Sequence, residues 1–216
     1  VPTMGGIHKG HISLVNKSKK VCKKTLVSIF INPKQFNNKN DFKNYPSNIN
    51  NDLFLLKKTK KVDFVYIPEF NEIYKSKRKS EIILKKKDKI LCAKFRKGHF
   101  EGVLDVMDRL TKLIKPNKIF MGKKDYQQLY LVKRFIEKKY KTRIIACNTI
   151  RAKNKYALSS RNFLLKNIKL DKAGKIAKLL INLKNNLIKK ENIQKILLSK
   201  KLEIEKNFDV KIEYLE

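Results

Sequence analysis

The chain has 216 residues, 42% of them hydrophobic, so it can bury the core of one large domain or two modest ones. Its formal net charge of +34 would suit a nucleic-acid-binding protein, but only seven of its 53 basic residues are arginine, and lysine is spread along the whole chain. This distribution favours a biased composition over a dedicated polyanion surface, and no apolar run approaches the roughly 20 residues that span a bilayer.

The first 150 residues alternate between short β-rich runs and longer amphipathic ones. The predicted strands are the start of the chain and residues 25–31, 62–67, 118–122 and 143–150. The predicted helices are residues 10–22, 48–60, 100–114 and 126–139. This alternation predicts an open α/β fold, Rossmann-like, with a parallel sheet and helices on both faces.

The character of the sequence changes after about residue 151. Residues 164–190 and 192–207 have the pattern of lysine-rich amphipathic helices, and residues 210–216 that of a strand. We therefore expect a nucleotide-binding domain over 1–150 and the start of a smaller α+β lid domain over 151–216. Because the chain begins at Val1 and ends on an unpaired strand pattern, we expect both ends of a longer protein to be missing.

The cysteine pattern and the first residues of the sequence bear on the cellular compartment of the protein. Cys22, Cys92 and Cys147 are odd in number and far apart, and they form no Cys-x-x-Cys pair. Such usage is typical of a reduced protein without a disulfide framework or a zinc site. No signal peptide is visible, so a cytoplasmic location is expected.

Four polar loops follow the predicted strands. Residues 4–6 follow the first strand and 32–35 the second, while 122–125 follow the fourth and 158–161 lie beyond the last. Ligands of open α/β sheets bind at the carboxyl ends of the strands. The four loops are therefore predicted to converge on one site.

The first loop, in "PTMGGIHKGH", holds two of the three histidines and three of the seven glycines. Glycines let a backbone approach a phosphate closely, and the helix that follows would direct free N–H groups at it. His8 and His11 can add donors to phosphate oxygens. A metal site would need a third ligand, for which only His99 remains, and two half-buried structural histidines are the other alternative.

The later loops carry weaker signals. Lys124 can pair with a polyphosphate and Asp125 can accept from ribose hydroxyls, although a solvated lysine and a helix N-cap aspartate would give the same pattern. Ser159, Ser160 and Arg161 offer two hydroxyls and a guanidinium suited to phosphate, in a tripeptide that is common in loops.

Taken together, several stretches resemble the pantothenate synthetase (pantoate–β-alanine ligase) family in their order and spacing. They are "PTMGGIHKGH", "SIFINPKQF", "NYP", "RKGHFEGV", "GKKDYQQL" and "ALSSRN". The resemblance covers nearly the whole chain and is weakest after Asn162. The opening motif is also similar to the His-x-Gly-His signature of nucleotidylyltransferases and class I aminoacyl-tRNA synthetases, and "INPKQF" and "KDYQQ" narrow the resemblance to one family.

The resemblance implies a two-step reaction. Pantoate attacks the α-phosphate of Mg·ATP to give pantoyl adenylate and pyrophosphate, and β-alanine then releases AMP and pantothenate. It implies ATP and Mg²⁺ as ligands, small molecules as partners, no membrane or nucleic-acid partner, and a homodimer. The alternatives are another adenylyl- or cytidylyltransferase, or a basic nucleic-acid-binding protein on the same fold.

The resemblance also implies roles for individual residues. The expected ATP-binding residues are Met4, Gly5, Gly6, Ile7, His8, Lys9, Gly10, His11, Gly122, Lys123, Lys124, Asp125, Ile150, Leu158, Ser159, Ser160 and Arg161. The expected catalytic residues are His11, as general acid, with His8, Lys124 and Arg161. Gln35 and Gln128 are expected to bind pantoate, with Gln35 also near β-alanine. Asp52 is the expected magnesium ligand, next to Asn51 at a position where many relatives carry two carboxylates.

Overall fold

The computed structural model describes residues 1–75, 82–187 and 192–216. They form two compact units, one of Val1–Ile150 with Ser159–Arg161 and the other of Arg151–Leu158 with Asn162–Glu216. None of the described helices combines the length and apolarity that crossing a bilayer requires.

The strands of the first unit form two parallel sheets among the described residues. The strands are β1 (Pro2–Thr3), β2 (Leu26–Ile29), β3 (Phe64–Tyr66), β4 (Lys118–Gly122) and β5 (Arg143–Cys147). One ladder has the order β1–β2–β3 and a second joins β4 to β5, while β1 and β4 contact each other. The predicted open parallel α/β fold is confirmed, and the strands are shorter than their apolar runs.

Seven α-helices belong to the first unit and two to the second, counting described residues only. They are α1 (Lys9–Val21), α2 (Lys39–Lys43), α3 (Ile49–Lys58), α4 (Phe70–Ile73), α5 (Cys92–Phe95), α6 (His99–Ile114), α7 (Tyr126–Lys139), α8 (Asn167–Leu187) and α9 (Ile193–Phe208). Short 3₁₀ turns cover Pro33–Gln35, Lys86–Asp88, Lys123–Asp125 and Ser160–Leu164. The three helices of five residues or fewer were not predicted, because they are too short to show a hydrophobic period.

Side chains of β4 alternate between two hydrophobic layers. Ile119 and Met121 pack in the large cluster that α6 and α7 supply, while Phe120 packs with Leu14 of α1. Successive residues of a strand face opposite sides of a sheet. The helices therefore cover both faces, as predicted.

The second unit consists mainly of α8 and α9. Lys172 of α8 donates to the carbonyl oxygen of Phe208 at 2.7 Å. Its recorded β pairing, within the described residues, is a single antiparallel bridge between Arg151 and Ala157. The predicted helix over 164–190 begins at Asn167, and its last three residues lie outside the described ranges.

The predicted strand over residues 210–216 is wrong. The backbone amide of Val210 donates to the carbonyl oxygen of Glu205 at 3.4 Å, and that of Ile212 donates to its carboxylate at 2.7 Å. Period-two alternation makes a strand only where a neighbouring strand takes up its backbone hydrogen bonds. Here α9 takes up two of them.

Candidate active site

The loop between β1 and α1 is a tight backbone cradle. Gly5 and Gly6 have φ values of +79° and +61°, a region that other residues enter only with strain. A Cβ at Gly6 would also lie 2.5 Å from the carbonyl oxygen of Pro46 and 2.8 Å from Cβ of Ser160. Both conformation and space therefore require glycine here.

Asp52 of α3 holds this loop through two hydrogen bonds. Its carboxylate is 1% exposed and accepts from the backbone amides of Gly6 at 2.9 Å and Ile7 at 2.7 Å. Ser160 also holds the loop, since its Oγ donates to the carbonyl oxygen of Gly6 at 2.9 Å. The geometry makes Asp52 a clamp on the loop and lends no support to its expected magnesium role.

His8 and His11 close the first turn of α1. Nδ1 of His8 accepts from the amide of Gly10 at 3.0 Å, and Nδ1 of His11 accepts from the amide of His8 at 3.4 Å. A neutral imidazole that accepts at Nδ1 carries its proton on Nε2. Both rings, whose centroids are 4.1 Å apart, therefore present an Nε2–H donor, so the capping role and a phosphate role are compatible.

Both histidines are neutral at pH 7. Burial, with a smaller effect of the positive charge of Lys124, lowers the pKa of His8 to about 4 and that of His11 to about 3. His8 also lowers the pKa of His11. The structure thus brings the loop after β4 close to the loop after β1.

The loop after β4 carries two exposed charges. Lys124 Nζ lies 2.8 Å from Asp125 Oδ1, and Asp125 stands at the N-cap position of α7 without a side-chain capping bond. Asp125 therefore occupies the N-cap position that the alternative expected, but its carboxylate pairs with Lys124 and does not cap the helix. Lys123 Nζ donates to Asn148 Oδ1 at 3.2 Å, so the structure directs this lysine to the loop after β5.

The turn at Pro33–Gln35 holds the first predicted pantoate residue. Gln35 is 8% exposed, and its Nε2 lies 2.7 Å from Sδ of Met4. His99 Nδ1 donates to the carbonyl oxygen of Gln35 at 2.7 Å, which holds the turn against α6. Because that ring nitrogen carries its proton to a carbonyl, His99 is a structural partner of the turn, and the described residues contain no cluster of three or more metal-ligating side chains.

Gln128 on α7 has a free amide. Its side chain is partly buried and makes no hydrogen bond to any described residue. It lies three residues beyond Asp125, on the same side of the helix. A substrate can therefore take up both its donor and its acceptor.

Arg161 binds Asp41 of α2 through two hydrogen bonds, of 2.9 and 2.8 Å. These bonds raise the pKa of Arg161 and lower that of Asp41. Burial lowers the pKa of Arg96, and the charge of Arg161 lowers it further, so a second guanidinium lies in this region. Arg96 was not among the predicted site residues, although arginine is rare in this lysine-rich chain and its position was a usable signal.

The remaining predicted site residues lie at the ends of helices and strands or in the segments that follow them. Lys9 opens α1 and is exposed, Gly122 ends β4, and Ile150 lies in the partly buried segment after β5. Ser159 Oγ accepts from the amide of Arg161 at 3.3 Å. Leu158 belongs to the second unit.

Comparison with known proteins gives a consistent result. A family described as pantoate-beta-alanine ligase matches residues 1–216. Among curated proteins, the pantothenate synthetase of Pseudothermotoga lettingae is 38% identical over 226 aligned residues, covering all of this chain and 77% of its own. That of Buchnera aphidicola subsp. Acyrthosiphon pisum is 41% identical, covering 98% of this chain and 76% of its own.

Solved structures of the same family also resemble this chain. The pantoate-beta-alanine ligase of Francisella tularensis, complexed with beta-gamma ATP and beta-alanine, superposes with a TM-score of 0.88 at 35% identity, covering 100% of this chain and 79% of that one. The pantothenate synthetase of Thermus thermophilus gives a TM-score of 0.87 at 29% identity, covering 95% of this chain and 75% of that one.

Proposed function

Because the chain belongs to the pantoate–β-alanine ligase family, we propose that it joins (R)-pantoate to β-alanine at the expense of ATP, by way of a pantoyl adenylate. The observation that carries this proposal is a match over all 216 residues to a family of that activity. The geometry supports it, since a glycine cradle, two imidazole donors and Lys124 meet at the carboxyl ends of parallel strands.

In the first step a carboxylate oxygen of pantoate attacks the α-phosphorus of ATP. The bond from that phosphorus to the bridging oxygen breaks, and its electron pair leaves with pyrophosphate. Charge builds on the phosphate oxygens as this happens, and fixed donors stabilise it. We assign this role to Nε2–H of His11 and His8, with the ammonium of Lys124 beside them.

The low pKa values of the histidines define how they act. Without nucleotide, both are neutral and donate hydrogen bonds without a full charge. Bound phosphates raise the pKa of a nearby imidazole, because an opposite charge favours its protonated form. His11 can therefore change from donor to general acid when ATP is present.

In the second step the amine of β-alanine attacks the acyl carbon of the adenylate. The carbon–oxygen bond to AMP breaks, AMP leaves with the electron pair, and the new amide nitrogen loses a proton. The two glutamines Gln35 and Gln128 would orient pantoate without placing a like charge beside the phosphates. The solved F. tularensis relative is complexed with beta-alanine, which supports β-alanine as the second substrate of this chain.

The described residues offer magnesium few protein ligands. Both oxygens of Asp52 accept from backbone amides, and the described ranges contain no cluster of three or more metal-ligating side chains. We propose that Mg²⁺ enters as part of the Mg·ATP substrate. Phosphate oxygens and water would then supply its ligands.

A homodimer and a cytoplasmic location are also part of the proposal. Cys22, Cys92 and Cys147 form no disulfide in the described part of the chain, and a reducing compartment would keep their thiols in that state. Light scattering of the purified protein would test for twice the 25.4 kDa chain mass. Cell fractionation would test the location.

The decisive experiment is pyrophosphate release from ATP with and without pantoate, followed by AMP release on adding β-alanine. We expect pyrophosphate only with (R)-pantoate, and pantothenate only when both substrates are present. Pyrophosphate release that ignores pantoate but requires another acid or phosphate would favour a different nucleotidylyltransferase. Salt-dependent polynucleotide binding without any such turnover would favour the nucleic-acid alternative.

A further inference from the structure

A buried polar chain runs from Tyr74, at the end of α4, to the turn that carries Gln35. Tyr74 OH donates to Asn32 Oδ1 at 2.9 Å, and Asn32 Nδ2 donates to Gln35 Oε1 at 3.3 Å. Asn32 is 1% exposed and Tyr74 9% exposed, so neither side chain can exchange these bonds for water.

The partners of Asn32 fix which way its amide points. Its Oδ1 also accepts from the amide of Lys34 at 3.2 Å, and its Nδ2 also donates to the carbonyl oxygen of Gly102 at 3.1 Å. Reversing the amide would place its NH₂ group against the Lys34 amide, a donor, and its oxygen against the Gly102 carbonyl, an acceptor, while the Tyr74 hydroxyl adds a third bond to Oδ1 in the observed orientation. The orientation of Asn32 in turn requires Gln35 to direct its oxygen inward.

The ring of Tyr74 is itself held between two cations. Lys34 Nζ lies 3.8 Å from its centroid and Arg109 Cζ lies 4.6 Å from it. Both cations pair with Asp105, at 3.8 and 2.8 Å, and Arg109 also donates to the carbonyl oxygen of Ile73. These contacts hold the ring so that its hydroxyl stays directed at Asn32.

We propose that Tyr74 is a positioning residue for pantoate, which acts through Asn32 to keep the NH₂ group of Gln35 turned towards the substrate. This inference rests on the proposed function. Asn32 takes up Oε1 of Gln35, and one N–H of Gln35 Nε2 faces Sδ of Met4 at 2.7 Å, so the second N–H is the donor left for a carboxylate or hydroxyl oxygen of pantoate. The same group would repel the ammonium of β-alanine, so Gln35 can recognise that second substrate only through its carboxylate.

The test uses Tyr74→Phe, which removes one hydroxyl and leaves the ring between its cations. We expect the affinity for pantoate, measured by calorimetry with a non-hydrolysable ATP analogue, to fall about 3- to 10-fold, the range for one lost hydrogen bond. Affinity for the ATP analogue should stay within about twofold. Tyr140→Phe is the matched control, since its hydroxyl donates to Asp108 at 2.8 Å outside this chain of bonds, and it should leave pantoate affinity unchanged.

A double-mutant cycle separates positioning from a general loss of stability. In a Gln35→Ala background, Tyr74→Phe should cause no further loss of pantoate affinity, because the group it orients is gone. Additive losses, or a Tyr74→Phe protein that binds pantoate as tightly as the parent, would overturn the inference alone. Failure of the parent chain to bind pantoate at all would overturn the proposed function and the inference with it.

Discussion

Replacing Asp52 by asparagine tests whether its carboxylate holds the glycine loop or a metal ion. The two amides it binds, 2.9 and 2.7 Å away, belong to the backbone that would surround the phosphates. Asparagine has the same size but only one side-chain oxygen. It can therefore satisfy one amide, while its own NH₂ group faces the other.

The expected loss follows from these contacts. A hydrogen bond to a charged group contributes about 1.5–3 kcal/mol, and the amide left unpaired is buried. A cost of about 2 kcal/mol to the folded loop corresponds to about 30-fold in an equilibrium constant. We therefore expect the KM for ATP to rise about 10- to 30-fold in Asp52→Asn.

The assay is pyrophosphate release at saturating pantoate, with ATP varied at saturating Mg²⁺ and then Mg²⁺ varied at saturating ATP. The half-saturating Mg²⁺ concentration should not change. Asp63→Asn is the matched control, because this carboxylate also binds a backbone amide, that of Thr25 at 2.7 Å, but at the amino end of β2. A higher Mg²⁺ requirement with an unchanged KM for ATP would refute the clamp and restore Asp52 as a ligand.

Three further outcomes are expected. His11→Ala should slow single-turnover adenylate formation by about 10²–10³ and leave pantoate affinity nearly intact, and a parental rate would rule out its role. Gln128→Ala should weaken pantoate binding by about 1.5–3 kcal/mol. Gln127→Ala is the control and should leave pantoate binding unchanged, because the Gln127 amide already donates to two carbonyl oxygens. An equal loss of ATP affinity in Gln128→Ala would contradict the assignment. The pKa values of His8 and His11, about 4 and 3 against an ordinary 6.5, mean that the unfolded chain takes up protons first as pH falls. Their contribution to the free energy of unfolding is therefore present above pH 6.5 and lost as the pH falls through about 4 and 3. The free energy of unfolding, measured by urea denaturation, should fall less steeply with decreasing pH in a His8→Gln, His11→Asn double variant than in the parent; equal slopes would contradict this.

Local patterns predicted most of the fold. The helix expected over 126–139 is found at Tyr126–Lys139, because its apolar residues keep one helical period and the chain turns at both ends. The strand expected over 210–216 failed because alternation says nothing about whether a partner strand lies alongside. The loops at residues 4–6, 32–35 and 122–125 were predicted by the same reasoning, since each follows a strand and carries polar residues of restricted type.

The contacts that organise the site were beyond such reasoning. Tyr74 and Asn32 are 42 residues apart, and His99 and Gln35 are 64 apart, so neither pair leaves a local signal. The charge state of the histidines depends on burial, which no motif encodes. A signal was present at Gly102, a glycine inside a long helix, which indicates close backbone approach.

The contacts between α6 and the Pro33–Gln35 turn have a consequence for its dynamics. His99 binds the carbonyl oxygen of Gln35, and Gly102 packs against the backbone of Lys34 with no room for a side chain. Since α6 is the most extensively buried of the described helices, the turn cannot open while the core stays folded. Amide hydrogens of Gln35 and Phe36, bonded within the turn, should exchange with deuterium only when the whole first unit unfolds. Pantoate would then bind to a Pro33–Gln35 turn that already has its bound conformation.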